Sequence, residues 1–344
     1  MTEQGINKLW YQPRWAWAAW LLAPLALLFA IVSGLRRGAY RVGLLRSLDP
    51  GAPVIVVGNL TVGGSGKTPL IIWLARELQR RGHRVGVVSR GYGGRERGPA
   101  LLPAHPDPDV FGDEPTLIAA ATGVPVAIGA ARAQAAELLV RSTGVGLLLS
   151  DDGLQHYALR RQCELVVVDA QRGFGNGWLL PAGPLRELPG RLRQASAVIR
   201  RNADGYAFLG RIPDTLPCFD MQTNPAGVRP LAEPAGKLTE LSAWRGRRVH
   251  ALAGIGVPER FFAALRDNGL DVIEHAAQDH HRWTAQELDF GDDLPVLMTG
   301  KDAVKCQRFA RANWYWLDIE VNFSVEQTEQ LLALLLAKIA DKRI

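Results

Sequence analysis

The sequence predicts an α/β protein: a core built on a doubly wound parallel sheet, a second and smaller α/β domain, and an N-terminal hydrophobic helix suited to a membrane. Three observations predict it. After Pro53, short uncharged apolar runs alternate with helical patterns, as expected of parallel strands covered on both faces. Between residues 202 and 246 this rhythm lapses into Gly, Pro and mixed polar residues, and then resumes. Residues 15–35 carry no charged side chain at all. The 344-residue length and 47% hydrophobic content allow two ordinary domains with cores of their own and exclude a disordered chain.

The first element is the apolar segment, bracketed by Arg14 and by Arg36-Arg37. About 20 apolar residues cross a hydrocarbon core, and Trp10, Trp15, Trp17 and Trp20 have the spacing of an interfacial belt. Residues 1–50 hold Lys8, Arg14, Arg36, Arg37, Arg41 and Arg46 against Glu3 and Asp49, so most of the +6 net charge sits here. That excess flanks an apolar run, not an aromatic-studded soluble face, which argues against nucleic acid as a partner. A cleaved signal peptide is not expected, because the glycine-rich loop GGSGKT at 63–68, a pattern that binds a cytoplasmic nucleotide, follows closely. Length favours membrane lipids as the partner over a buried core helix, while Pro24 and Gly34 leave spanning and monotopic insertion open. Residues 1–45 are assigned to this membrane-associated helix.

Residues 54–68, VIVVGNLTVGGSGKT, join a buried strand to a glycine-rich turn ending in Gly-Lys-Thr. This is a P-loop pattern, although Thr61 stands where the strict motif has its first glycine. Backbone N–H groups of Gly63, Gly64, Ser65 and Gly66 can cradle the phosphates of ATP, Lys67 can reach the outer ones, and the Thr68 hydroxyl can ligate Mg²⁺. Pro69 suits a first helical turn. The helix expected over 69–81 carries Leu70, Ile71, Leu74 and Leu78 on one stripe, with Gly82 as its C-terminal cap.

Strands are expected next at 84–88, 126–128, 146–149, 165–168 and 197–200. Ligands of such sheets bind beyond the carboxyl ends of the strands, where the phosphate loop, SRGYGG (89–94) and SDDG (150–153) all fall. Asp151 and Asp152 at the end of an apolar run resemble a Walker B element for Mg²⁺. Asp169 is a competing candidate, but two adjacent acids followed by Gly153, Gln155 and His156 exceed what a turn requires. Residues 46–205 form this P-loop domain and 206–245 the expected linker.

The second α/β domain is assigned to 246–344, with strands at 249–253, from 271, at 295–298 and at 314–321. Pro258 opens a helix closed by Gly269, and Ser324 with Gln327 forms a capping-box pattern before the last one. Gly254-Ile255-Gly256 reads as a tight turn, since Glu259 occupies the third glycine of a dinucleotide fingerprint. Taken locally, Asp113 in GDEP is a helix N-cap and Asp279-His280-His281 a solvated loop or adventitious metal site. Lys301-Asp302 and Arg186-Glu187 read as surface ion pairs. Cys163, Cys218 and Cys306 are too scattered for a disulfide framework or zinc knuckle, which fits a reducing compartment.

The motifs GNLTVGGSGKTP, SRGYGG, GDEP, SDDGLQH, PAGPLRE, DHH and KDAVKC together resemble, in order, the tetraacyldisaccharide 4′-kinases (the LpxK family) of lipid A biosynthesis. The resemblance runs from the apolar N-terminus to about Cys306. It implies transfer of the γ-phosphate of ATP to the 4′-hydroxyl of a tetraacylated glucosamine disaccharide 1-phosphate, giving lipid IVA at the cytoplasmic face of the inner membrane. It makes Asp113 the general base, in place of an N-cap, supported by a histidine of the DHH segment. His280 is preferred, although the two adjacent histidines align either way. Lys67 and Thr68 would hold phosphates and Mg²⁺, Asp151 and Asp152 would organise the metal, and Gln155, His156, Arg186, Glu187 and Arg132 would line the cleft. Closure of the second lobe is expected to bring the DHH loop to Asp113. The chain departs from the family at Gly300, where an acidic residue usually precedes Lys301. None of the motifs encodes an oligomeric state.

The alternative class is a membrane-associated ATPase of the MinD or ParA kind, which shares the GG-x-GKT loop but has a signature lysine where this chain has Val62. A GTP-dependent metal-insertion protein would need an N-K-x-D motif and a Cys/His cluster, and neither is present.

Overall fold

The computed structural model describes residues 9–202, 212–233 and 237–340. Lys8, Glu3 and part of the expected linker fall outside these, as does the side chain of Trp15. The strands are β1 (Val54–Gly58), β2 (Val85–Ser89), β3 (Ala100–Leu101), β4 (Val126–Ile128), β5 (Leu147–Asp151), β6 (Cys163–Asp169), β7 (Ala197–Arg201), β8 (Cys218–Pro230), β9 (Arg248–Ala253), β10 (Asp271–Ala276), β11 (Val296–Thr299) and β12 (Trp314–Asn322). The main helices are α1 (Ala23–Arg41), α2 (Lys67–Arg80), α3 (Asp113–Thr122), α4 (Arg132–Thr143), α5 (Pro258–Asp267), α6 (Gly300–Cys306) and α7 (Val325–Ala340).

The strands form one 12-stranded sheet in the order β10-β9-β11-β12-β8-β7-β6-β1-β5-β2-β4-β3. Every residue of β1, β2 and β5 is buried, which is why these segments are continuous apolar runs without polar alternation. β1 lies between β5 and β6, parallel to both, and Val57 stands opposite Asp151. The chain first winds out through β2 and β4, then returns to β5 and passes to β6. This reversal beside β1 opens the crevice in which such folds bind ligands.

Inside the segment expected as a linker, residues 218–230 form the longest strand of the sheet, β8. Its first part pairs in parallel with β7 from Cys218 to Met221, and the remainder pairs antiparallel with β12. The Pro and Gly residues that suggest a break mark an irregularity instead: the β8–β12 register shifts between Asp318 and Ile319, opposite Pro225 and Gly227. The last helix also differs from its sequence grouping. Leu331, Leu332 and Leu335 of α7 pack into the core of β1 and α2, with Ile55, Leu70 and Leu74. The Ser324 hydroxyl caps this helix by accepting from Gln327 N, but Gln327 Oε1 accepts from Asp220 N on β8, so only half of the capping box forms.

The N-terminal segment runs as a 3₁₀ helix, Pro13–Leu22, into α1. A narrow stripe with Ala19 and Ala26 packs on the core, while Trp17, Trp20, Leu21, Leu27 and Leu35 stay exposed. An 18-residue window within residues 17–41 reaches a mean hydropathy of 2.2 with only 11% of it buried, which speaks against a core helix here.

Candidate active site

The turn between β1 and α2 is bent by two glycines in the left-handed region, Gly63 (φ 108°) and Gly66 (φ 90°), and Gly66 is the N-cap of α2. Lys67 starts the helix and points back: its Nζ donates to Asn59 Oδ1 at 3.2 Å and lies 3.5 Å from Asp152 Oδ1. Ser65 Oγ is buried without a partner, and Thr68 is buried beside it in sequence. The loop therefore presents oriented N–H groups, an ammonium and hydroxyls at the positive end of a 14-residue helix.

Asp151 ends β5 and is buried. Its Oδ2 accepts from Ser89 Oγ at 3.1 Å, whereas Oδ1 has no partner. Burial, with the charges of Glu114 and Asp152, pushes its carboxyl up to about 7. Asp152 follows in a left-handed conformation (φ 48°) and is committed elsewhere, accepting from Arg186 Nη1 at 2.9 and 3.0 Å. Burial would raise its pKa, but Lys67 and Arg186 outweigh this and hold the carboxyl well below the usual range. Two neighbouring acids are thus driven in opposite directions, a pattern typical of functional sites.

Arg132 is buried at the start of α4, and its Nη1 donates to the Asp151 carbonyl at 2.5 Å. Burial holds this guanidinium below its ordinary value. His156 is pushed down to about 4 by burial and by the charges of Arg132 and Arg161, so it is neutral at physiological pH. Glu187 does not pair with Arg186. Its carboxylate accepts from Gln155 Nε2 at 3.0 Å, from Tyr157 OH at 2.5 Å and from Arg37 Nη1 at 3.3 Å, tying α1 to the core.

On the opposite side, Gly112 is the N-cap of α3 and Asp113 is its first residue, so the local N-cap reading of Asp113 does not hold. The Asp113 carboxylate meets His280 Nδ1 at 3.0 and 3.1 Å. Burial opposes ionisation of Asp113, but the His280 hydrogen bond and the nearby Lys301 and Lys305 charges overcome it and lower its pKa. The same hydrogen bond raises His280. His280 has a positive φ of 63°, and its ring lies edge-on to Tyr92 of the SRGYGG turn, with centroids 4.9 Å apart. His281 turns away to Glu287 at 3.1 Å. Asp152 and His280 are two of the three described non-glycine residues with positive φ, and both belong to this site.

The supporting residues that the sequence reading missed sit one contact behind. Lys301 is no surface pair with Asp302, since its ammonium bonds Glu114, 187 positions away in the chain. Asp302 is fully buried and accepts from Gly254 N (2.9 Å), Trp283 Nε1 (2.9 Å), Thr299 Oγ1 (2.6 Å) and Lys305 Nζ (3.0 Å), fixing the loops on either side of the DHH turn. Gly300 packs against Leu117 and Trp316, whose atoms lie 3.4 and 3.5 Å from where a Cβ would stand. The only sequence signal for Asn59 and Ser89 is their place just after β1 and at the end of β2. Asp169, the competing Walker B candidate, is occupied by Arg260 Nη1 at 2.7 Å.

What the arrangement offers is a cradle for a polyphosphate beside a carboxylate poised to take a hydroxyl proton, and that is the equipment of a P-loop phosphotransferase. The comparisons narrow this to one family. The chain belongs to the tetraacyldisaccharide-1-phosphate 4′-kinases, LpxK, whose family model matches residues 18–340. It is similar to the tetraacyldisaccharide 4′-kinases of Aromatoleum aromaticum, 46% identical over 92% of this chain and 93% of that one, and of Azoarcus sp., 48% identical over 91% of each. It also superposes on the crystal structure of the apo form of LpxK from Aquifex aeolicus in complex with ATP, with a TM-score of 0.80 and 26% identity over 94% of this chain and 99% of that one.

Proposed function

We propose that the chain transfers the γ-phosphoryl group of ATP to the 4′-hydroxyl of tetraacyldisaccharide 1-phosphate, with Asp113 as the base. The observation that carries this reading is the Asp113–His280 pair, closed at 3.0 Å between the two lobes. A carboxylate held ionised can accept the sugar hydroxyl's proton as that oxygen attacks phosphorus and the β–γ bridging oxygen leaves with ADP. His280 donates from Nδ1 and orients the acceptor oxygen. Lys67 stabilises charge on the outer phosphates. Arg186 holds Asp152 and Gln155 along the cleft. A membrane ATPase of the MinD or ParA kind has no need of this base, and the family match does not favour that alternative.

A Mg²⁺ ion fits the donor set. Asp151 Oδ1 is a buried oxygen without a partner, and hard cations take oxygen ligands while keeping several waters. Among the described residues no group of three or more His, Cys, Asp and Glu side chains is arranged around a metal, which a Mg²⁺ shared with phosphates does not require. Asp151 and Thr68 would hold it directly and Asp152 through its neighbours; when bound, the ion would neutralise phosphate charge. We further read residues 46–205 and 246–344 as lobes hinged over 206–245, with β8 as the shared strand and α7 docking back on the first lobe. The exposed side of α1 would bury in the cytoplasmic face of the inner membrane, letting the acyl chains stay in lipid while the sugar reaches the loop.

The test is transfer of labelled γ-phosphate from ATP to tetraacyldisaccharide 1-phosphate in micelles, with Asp113→Ala and Lys67→Ala as controls. Labelled lipid from the wild type alone supports the reading. ATP hydrolysis that the lipid neither stimulates nor consumes would sink it.

A further inference from the structure

The flank of the phosphate loop opposite Asp151 carries more positive charge than its protein partners balance. β6 ends there at Asp169, whose carboxylate is buried. Oδ1 accepts from the backbone N–H groups of Gln171 (3.0 Å) and Arg172 (3.2 Å). Oδ2 accepts from Arg260 Nη1 of α5, at 2.7 Å, and lies 3.8 Å from Arg201 Nη1. Arg260 also reaches Gln171 Oε1 at 2.9 Å, so this is a contact from the second lobe onto the first.

Arg172 and Arg201 approach the loop glycines. A Cβ built on Gly63 would stand 3.3 Å from Arg172 Nη1, and one on Gly66 would stand 2.8 Å from Arg201 Cδ. Arg172 is steadied over the Tyr11 ring, 5.0 Å from its centroid, and Arg201 donates Nε to Thr223 Oγ1 at 3.1 Å. Two guanidinium groups, those of Arg260 and Arg201, therefore share one carboxylate at the edge of a phosphate loop, and a third, that of Arg172, lies against the loop beside them. Burial holds Arg201 below its ordinary value, and Arg260 and Arg172 press it further down against the pull of Asp169. An ion pair that served folding alone would need one arginine. The two in excess raise the local potential and leave room for an anion.

We propose that Arg172 and Arg260 form a second anion-binding face of the nucleotide site, taking phosphate oxygens of the triphosphate seated in the loop, with Asp169 as the counter-anion resident on Arg260 that the nucleotide displaces. The proposal rests on reading residues 58–68 as the ATP loop. Arg260 then gives the second lobe its own contact with the nucleotide, separate from the DHH turn. Arg201, held by Thr223, supplies potential from behind.

The test is calorimetric binding of MgATP and of tripolyphosphate to the full chain in detergent, comparing wild type with Arg172→Ala, Arg260→Ala, Arg260→Lys and Asp169→Asn. Each alanine variant is expected to weaken both ligands tenfold or more, with the KM for the lipid acceptor within twofold of wild type. Arg260→Lys should recover part of the loss. Asp169→Asn, which frees Arg260, should bind MgATP at least as tightly as wild type even if its melting temperature falls. Unchanged MgATP affinity in both alanine variants overturns the proposal. So does weakening in Asp169→Asn equal to that of Arg260→Ala, which marks a purely structural pair, or loss of MgATP with tripolyphosphate unaffected, which places the contact at ribose or base. If Lys67→Ala also leaves MgATP binding intact, the loop reading itself fails, a separate result from any of these.

Discussion

His280 Nδ1 lies 3.0 Å from Asp113 Oδ2, 167 positions away in the chain. Each partner moves the other. The hydrogen bond raises His280, and it helps lower an Asp113 that burial alone would raise. A carboxylate held this way stays ionised at physiological pH without being fully solvated.

Removing the histidine should therefore change pH dependence as well as rate. In His280→Ala, burial of Asp113 is less opposed, so its pKa rises and the acid limb of the kcat/KM profile moves to higher pH. A rate loss of about 10²- to 10⁴-fold is expected for a lost general-base partner. His281→Ala, whose ring faces Glu287, should leave both limb and rate near wild type. The linkage has a definite sign. The lowered Asp113 contributes stability that is lost as pH falls through its folded pKa, and the raised His280 contributes stability lost as pH rises through its own. The pair thus contributes stability only between those two values, and a melting temperature that does not change as pH passes either of them counts against it.

Gly112 fixes where Asp113 begins its helix. Its backbone (φ 92°, ψ 151°) is open to glycine alone, and an added Cβ would stand 2.6 Å from the Tyr92 carbonyl oxygen. Gly112→Ala should cost about 1–3 kcal/mol from backbone strain. Because Tyr92 also packs on His280, kcat should fall more than the KM for ATP rises. Steady-state kinetics beside a melting curve check this; a stable variant with normal kcat contradicts it.

How much of this was legible in the sequence depends on how local each feature is. The strand, turn and helix start of residues 54–68 lie within one short stretch, so residue order alone carries their chemistry. Asp113 looks like a cap because its partner is distant, and only the family resemblance gives it another role. Nothing around Lys301 says that its ammonium crosses to Glu114, nor around Glu187 that it anchors Arg37 of α1. β8 escapes detection for a different reason. Pro225, Gly227 and Pro230 speak locally for a break, while pairing with both β7 and β12 overrides them.

Asp302 is the test of the scaffold behind the site. Four donors converge on its buried carboxylate, two of them from Gly254 and Trp283 on either side of the DHH turn. Asp302→Ala strands these donors and leaves Lys305 without its nearest carboxylate, a loss of about 3–5 kcal/mol for a broken buried pair. At about 2 °C per kcal/mol for a large chain, the melting temperature should drop by several degrees. Activity should fall with it through displacement of His280. An unchanged melting temperature would show that the network is not holding the turn.

The exposed side of α1 allows the proposed membrane contact to be tested apart from folding. Leu27 and Leu35 are 63% and 70% exposed, whereas Ala26, next to Leu27, is 3% exposed and packs on the core. Leu27→Glu together with Leu35→Glu should leave the melting temperature in detergent unchanged, because neither side chain has packing to lose. A charged residue carried to bilayer depth costs about 2.5–3.5 kcal/mol, so the double variant should lose vesicle co-sedimentation almost completely. Ala26→Glu should do the reverse in detergent, lowering the melting temperature by burying a carboxylate against the core. Phosphoryl transfer to a short-chain, water-soluble acceptor should survive in the double variant, since its phosphate loop and Asp113 are untouched. Retained vesicle binding would mean that the bare face of α1 is not what meets the lipid.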